Sequence, residues 1–407
     1  KDYLKRVEEA EKRDHRKLGR ALGLFFFDPI APASPFFLPK GAQVMNSLID
    51  YVKELYVKYG YQEVMTPQIF NTELWKQSGH LDAYSENMYF VDVDEREFGV
   101  KPMNCPAAAM LYLADSHSYR ELPMRLADFG RLHRNERSGV THGLTRVRSF
   151  VQDDAHIFCT LDQIGDEINS FLNMLNEAYD TLGFDSYRLE LSLRPEKRVG
   201  TDEMWDTAET TLTELLNASG VEYTAEAGEG AFYGPKIDIF VPDAIGRDWQ
   251  LGTVQLDFSL PERFDMEYAA EDGTRHRPVV IHRAMYGSLE RFLGVLIEHL
   301  SGAFPMWMAP VQAVVVPIAD RHIDFCNEVG AKLKAAGIRV NVDESNDRMN
   351  SKIRQAQLQK VPYMLVAGDQ EIESGTIAVR TRTGENLDPM DVDKVVDKFL
   401  KQIQERS

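Results

Sequence analysis

The sequence predicts an α+β fold: a largely antiparallel sheet flanked by helices, followed by a small α/β domain. Three observations carry that expectation. Between Phe98 and Arg283 strand-like runs follow one another at 98–103, 124–134, 146–158, 236–241, 250–258 and 279–282, several without a helical spacer. Parallel strands would each need a crossover helix, so the sheet is read as mostly antiparallel. After residue 311 the pattern turns to alternating strands and helices, and between the two regimes Phe304-Pro305-Met306-Trp307-Met308-Ala309-Pro310 punctuates the chain. A helical linker over 1–19, a first domain over 20–309 and a second over 310–407 are therefore expected.

The elements follow in order. Residues 1–19 read as a polar helix continuing from a region upstream. Val44, Leu48, Ile49, Val52 and Leu55 recur at spacings of three and four, which gives an amphipathic helix over 42–59. Tyr61 to Pro67 reads as a short strand stopped by proline, which has no N–H for a ladder. Helices are expected at 161–182, 202–219 and 288–300. In the second domain, strands at 311–317, 339–342, 363–366 and 376–380 alternate with helices at 321–336, 350–360 and 391–404, with a glycine-containing turn before residue 376.

Composition excludes several classes. A chain of 407 residues exceeds one ordinary domain, and 43% apolar with 27% charged residues is globular usage. No apolar stretch reaches the roughly 18 residues of a membrane span. The charged N-terminus lacks the apolar core of a secretory signal, so a cytoplasmic address is expected. Three cysteines without a C-x-x-C pair do not suggest a disulfide framework. A net charge of −18 opposes binding to phosphates, but from residue 311 onward 14 Lys/Arg face 15 Asp/Glu, so nearly all of the excess precedes that point. Any RNA contact must use local basic clusters, with the second domain the less repulsive.

Residues two apart on a strand share a face, so Phe150, Gln152, Asp154 and His156 point one way. The same reading aligns Gly130, Leu132 and Arg134 on one run and Thr253, Gln255 and Asp257 on another. A polar strand face either meets solvent or lines a site. Three aligned polar faces favour the floor of a site for a polar, charged substrate.

Several segments then carry a resemblance. Phe129-Gly130-Arg131-Leu132-His133-Arg134-Asn135-Glu136 resembles the second signature motif of class II aminoacyl-tRNA synthetases, Gly287-Ser288-Leu289-Glu290-Arg291 the third, and Gly60 to Pro67 after its long helix the first, which contributes to a dimer interface. Lys101-Pro102-Met103-Asn104-Cys105-Pro106, the run Arg148 to His156, Gly228 to Lys236 and Val280 to Ala284 are similar to the threonyl-tRNA synthetase family, and the likeness covers nearly the whole chain. It implies activation of L-threonine with ATP to threonyl-adenylate, transfer to the 3′ end of threonine tRNA, and a homodimer. Arg134 would bridge the amino-acid carboxylate and the α-phosphate, and Arg291, near a helix N-terminus, would hold the γ-phosphate; fixed cations suit charge that develops on phosphorus oxygens. Glu136, Arg146, Phe150, Gln250 and Thr253 would complete the ATP site, with Mg²⁺ neutralising the remaining charge. His80 would assist proton removal from the tRNA ribose.

Cys105, His156 and His282 lie too far apart in sequence for spacing alone to make them a metal site. The resemblance implies that they hold one Zn²⁺, and one thiolate with two imidazoles is a set zinc accepts with a position left open. Met103, Gln152, Asp154 and Tyr233 would line the threonine pocket. In the second domain, which resembles the anticodon-binding domain shared by threonyl, prolyl, histidyl and glycyl enzymes, Asn346, Lys360, Glu371 and Arg380 are the anticodon candidates. Two departures stand out: Ala107-Ala108 replaces the usual Gly-His after Cys105-Pro106, and Arg137 stands where proline is frequent. No counterpart of the family's N-terminal editing region is recognised, so serine is expected to escape clearance. The rival readings are another class II ligase, prolyl being nearest, and a catalytically silent RNA-binding homologue.

Overall fold

The computed structural model describes residues 2–407. It comprises two units: one of Phe27–Pro35 and Tyr51–Val295, the other of Lys1–Phe26, Phe36–Asp50 and Leu296–Ser407.

The first unit is built on a nine-stranded sheet. Its path runs Tyr223–Glu226, Arg188–Ser192, Lys236–Pro242, Asp248–Asp257, Val279–Ser288, Ser149–Cys159, Met124–Asp128 and Gln62–Glu63, with Arg131–His133 pairing to Ser149–Cys159. Only the two outermost pairs of the path are parallel; the inner strands are antiparallel. The helix Ile164–Leu182 buries Ile164, Ile168, Phe171, Leu175, Ala178 and Leu182, the three-and-four spacing of one apolar stripe. It stops at Gly183, whose φ of +79° is a left-handed conformation that glycine adopts without steric cost.

Where the sequence suggested one strand over 124–134, the structure has two, Met124–Asp128 and Arg131–His133. The break has a local cause: a Cβ at Gly130 would lie 2.4 Å from Lys101 Nζ and 2.7 Å from Asn104 Oδ1, so the backbone approaches a place no side chain could. Beyond it Leu132 is fully buried with Val147 and Phe150, and the polar face read through that run ends there. The strand expected to end at His282 continues to Ser288. Cys105–Tyr112 form a helix that no apolar period in the sequence announces, with proline in its first turn.

In the second unit a five-stranded sheet runs Val340–Val342, Ala313–Pro317, Tyr363–Ala367, Thr376–Thr381 and Asn386–Asp391, parallel over the first three strands and antiparallel beyond. Val315, Leu333, Leu365 and Phe399 are central to its core. Asn386–Asp391 was not anticipated, nor was the short helix Asp369–Ser374 where a turn was expected. The N-terminal helix is two helices, Asp2–Arg13 and His15–Ala21, because Asp14 leaves helical geometry and its carboxylate accepts from Arg16 N, capping the second. Among the described residues no helix is long and apolar enough to cross a membrane.

Candidate active site and metal centre

A cavity of about 500 Å³ opens over the inner strands of the first unit, and Arg134, Glu136, Arg146, Phe150, Gln250, Thr253 and Arg291 all line it, with Gln152 at its floor. Strand pairing explains the convergence: Thr253 pairs with Ala284, Gln255 with His282, and His282 in turn with His156. The side chains of three strands thus meet on one surface.

Two arginines face this space without an ion-pair partner among the described residues. The Arg134 guanidinium lies 5.0 Å from the Phe150 ring centre, and its Nε donates to Pro102 O at 3.2 Å. Arg291 sits in the first turn of Leu289–His299, donating Nε to Gln250 O and Nη1 to Thr145 O, both at 3.1 Å. Burial, with Arg146 nearby, lowers its pKa. Arg146 itself is paired with Glu136 at 3.0 Å. Half-buried cations whose side-chain hydrogen bonds go to carbonyl oxygens and not to carboxylates make an anion-seeking surface.

Residues that the sequence reading missed hold this wall in place. Asp238, 2% exposed, accepts from Gln250 Nε2 at 2.6 Å and Thr253 Oγ1 at 3.3 Å through one oxygen, and from Ser192 Oγ and Lys236 Nζ through the other. Glu290, next to Arg291, accepts from Val151 N at 2.9 Å. Alternation along the 236–242 run could have flagged Asp238, since it shares a strand face with Lys236 and Phe240 and pairs with Thr253.

Cys105, His156 and His282 are brought together: their donor atoms all lie within 4.8 Å of one another and all three residues are buried. His156 Nε2 and His282 Nδ1 are buried and lack a hydrogen-bond partner, whereas His282 Nε2 lies 2.9 Å from Asp257 Oδ2. Orphaned buried nitrogens are costly unless something else occupies them. Burial opposes ionisation of the Cys105 thiol, yet the imidazoles of His282, His156 and His80 close to it hold its pKa well below the usual thiol value. A thiolate with two imidazoles, one of them backed by a carboxylate, fits a zinc-type ion.

Of the remaining sequence-predicted residues, those of the first unit lie close to this group. Asp154 Oδ2 accepts from Asn104 Nδ2 at 3.0 Å, and burial raises its pKa. Tyr233 donates its hydroxyl to Gln255 Oε1 and its ring centre lies 4.8 Å from that of His282. Met103, two residues before Cys105, is partly buried. His80 is 2% exposed, with Nδ1 2.8 Å from Ser78 Oγ, and it lines a small cavity shared with Cys105, Tyr233 and His282, not the large one. In the second unit Glu371 Oε2 accepts from Gly368 N at 2.8 Å, capping its helix, and Arg380 Nη1 donates to Asn386 Oδ1 at 3.0 Å. Lys360 follows a helix end at φ +57°, and Asn346 lies in the loop before it. Among the described residues no hydrogen bond or ion pair joins any two of these four.

Comparison with known proteins places the chain. Residues 89–300 match the family described as tRNA synthetase class II core domain (G, H, P, S and T), and residues 312–402 match the anticodon binding domain family. The chain is similar to the threonine–tRNA ligase of Bdellovibrio bacteriovorus, 53% identical over 405 residues that make up 100% of this chain and 62% of the relative. That of Thermotoga maritima is 52% identical over 406 residues, 100% of this chain and 63% of the relative. The chain thus spans less than two thirds of the length of these curated relatives. A crystal structure of the RNA binding domain of threonyl-tRNA synthetase from Cryptosporidium parvum Iowa II superposes with a TM-score of 0.92 at 45% identity, covering 95% of this chain and 98% of that one. The signature segments, the sheet and these matches agree, and the chain belongs to the class II aminoacyl-tRNA synthetases, in the threonyl-tRNA synthetase family.

Proposed function

We propose that this chain activates L-threonine with ATP, forming threonyl-adenylate and pyrophosphate, and transfers the threonyl group to the 3′ end of threonine tRNA. The observation that carries the reading is the placement of two arginines without carboxylate partners, Arg134 and Arg291, in one cavity whose lining residues Gln152 and Gln255 stand on the same paired strands as His156 and His282. Negative charge spreads over the phosphorus oxygens as the carboxylate attacks and pyrophosphate leaves, and cations already fixed there lower the barrier without reorganising. Phe150 offers its ring to the adenine, with Glu136, Arg146, Gln250 and Thr253 around the nucleotide and Mg²⁺ accompanying ATP. Asp154, Gln152, Met103 and Tyr233 orient the amino acid.

Zinc is the metal we assign to Cys105, His156 and His282; when bound it supplies a Lewis-acidic position for an amine and a hydroxyl. The anticodon loop is the proposed RNA target of Asn346, Lys360, Glu371 and Arg380, because unpaired bases offer edges that side chains can read. His80 is proposed to act on the ribose proton, and its burial requires that the Ser78 segment shift for it to do so. A homodimer is proposed from the exposed Val57 and Met65, 83% and 86% accessible beside the first signature motif. Such an activity carries a cytoplasmic location with it. The deciding experiment is amino-acid-dependent ATP–pyrophosphate exchange combined with metal analysis: exchange stimulated by threonine, with one zinc per chain, is expected. Stimulation by proline instead, or none by any amino acid, would favour the rival readings.

A further inference from the structure

The strand that carries both ends of the proposed site, Val279–Ser288, bulges against its neighbour Ser149–Cys159. Asp154 pairs with Ala284, but Gln152 pairs with Ser288, so two extra residues of Val279–Ser288 are accommodated opposite Asp153. Such a bulge leaves backbone N–H groups without ladder partners. Asp153 supplies them. Its Oδ2 accepts from Met285 N at 2.8 Å and its Oδ1 from Tyr286 N at 3.0 Å. From the other side the Tyr179 hydroxyl donates to Met285 O at 2.8 Å. Gly287, at φ +67°, closes the bulge where a Cβ would meet Leu251 O at 2.5 Å.

Asp153 is fully buried on the face of the sheet opposite Gln152 and Asp154. Its counter-charge is Arg283, 1% exposed, with Nη1 3.8 Å from the carboxylate and donating to Asp153 O at 2.9 Å. The Arg283 guanidinium stacks between aromatic rings, 4.1 Å from the centre of Tyr61 and 4.8 Å from that of Tyr56. Neither Asp153 nor Arg283 lines the cavity, yet the clamped segment lies between His282 at the amino-acid end and Ser288 and Arg291 at the nucleotide end.

We propose that Asp153 is a positioning residue: by clamping the two bulge amides it fixes the spacing along one strand between the group that holds the amino acid and the group that holds ATP. The proposal rests on the functional reading given above. Each half-site keeps its own contacts when the clamp is lost, so the two substrates still bind, while their reacting atoms are no longer held at attack distance. A misplacement of about 1 Å costs on the order of 100-fold in rate.

The test compares Asp153→Asn with Arg283→Met. Asparagine keeps one acceptor and presents an N–H to the second amide, whereas the methionine variant removes the counter-charge and leaves both acceptors. In threonine-dependent pyrophosphate exchange, Asp153→Asn is expected to lose about 100-fold in kcat, with KM for ATP and threonine moving less than about threefold. Arg283→Met, although destabilised, is expected to keep kcat within about tenfold of the wild type. Amide hydrogen exchange at Met285 and Tyr286 should accelerate in the first variant and stay slow in the second. If Asp153→Asn does not fold alone, the double variant, which strands no charge, is measured against Arg283→Met with the same expectations. Unchanged kcat, or a kcat loss matched by loss of binding of both substrates, overturns the proposal. A wild-type chain without exchange activity overturns the functional reading instead, and amide exchange then still decides whether Asp153 clamps the bulge.

Discussion

Asp257 Oδ2 lies 2.9 Å from His282 Nε2, which leaves Nδ1 as the ring nitrogen available to the group formed with Cys105 and His156. The same carboxylate, through Oδ1, accepts from Ser259 N at 2.7 Å and Leu260 N at 2.9 Å, so its orientation is fixed by backbone. A carboxylate in this position sets the tautomer of a ligating histidine and raises its basicity.

Asp257→Asn should therefore weaken metal retention by about 10–100-fold while all three candidate ligands remain. Competition against a chelator of known affinity measures it. Metal affinity equal to wild type would show that the Asp257–His282 contact is only structural.

Arg134→Ala should abolish adenylate formation without unfolding the chain. The hydrogen bond its side chain donates to Pro102 O is worth about 1 kcal/mol, a few degrees of Tm for a domain of this size. Loss of a fixed cation at the reacting phosphate should cost at least about 10³-fold in pyrophosphate exchange. Near wild-type exchange in a folded variant would remove Arg134 from the mechanism.

Asp238→Ala addresses a residue that touches no proposed substrate. It leaves the Gln250 amide and Thr253 hydroxyl without their acceptor and strands Lys236, so KM for ATP should rise about tenfold and stability fall by about 2–3 kcal/mol. Isothermal binding of ATP and a denaturant titration separate the two effects. An unaltered ATP affinity would mean that Gln250 and Thr253 are held by something else.

What could be read in the sequence was what is local. Strand alternation placed Gln152, Asp154 and His156 on one face because a period of two needs no knowledge of the neighbouring strand. The same alternation turned Asp153 away from the site and so gave it no role; its partners are the amides of Met285 and Tyr286, which become partnerless only through a bulge set by pairing. Gly130 breaks a strand because of Lys101, far away in sequence. Asn386–Asp391 escaped because it lacks apolar alternation and contains Pro389, which an edge strand tolerates. Asp369–Ser374, at six residues, is too short for a helical period to register.

Selectivity gives the last prediction. Asp154 is half-buried with one oxygen already engaged by Asn104 Nδ2 at 3.0 Å, and in the proposed site its remaining capacity accepts donors from the amino acid. Threonine offers an amine and a hydroxyl on adjacent carbons. Valine has the same shape but no hydroxyl, so its binding leaves buried polar groups unpaired; a site built on a required hydrogen bond rejects such an analogue by about 10⁴-fold or more. Serine keeps both donors and forfeits a single methyl contact, which is worth about 1–3 kcal/mol, or roughly 10–200-fold. In amino-acid-dependent pyrophosphate exchange the ratio of kcat/KM should therefore fall in that lower range for serine and near the higher value for valine. Comparable rejection of serine and valine would mean that shape, not hydrogen bonding through Asp154 and its neighbours, selects the substrate.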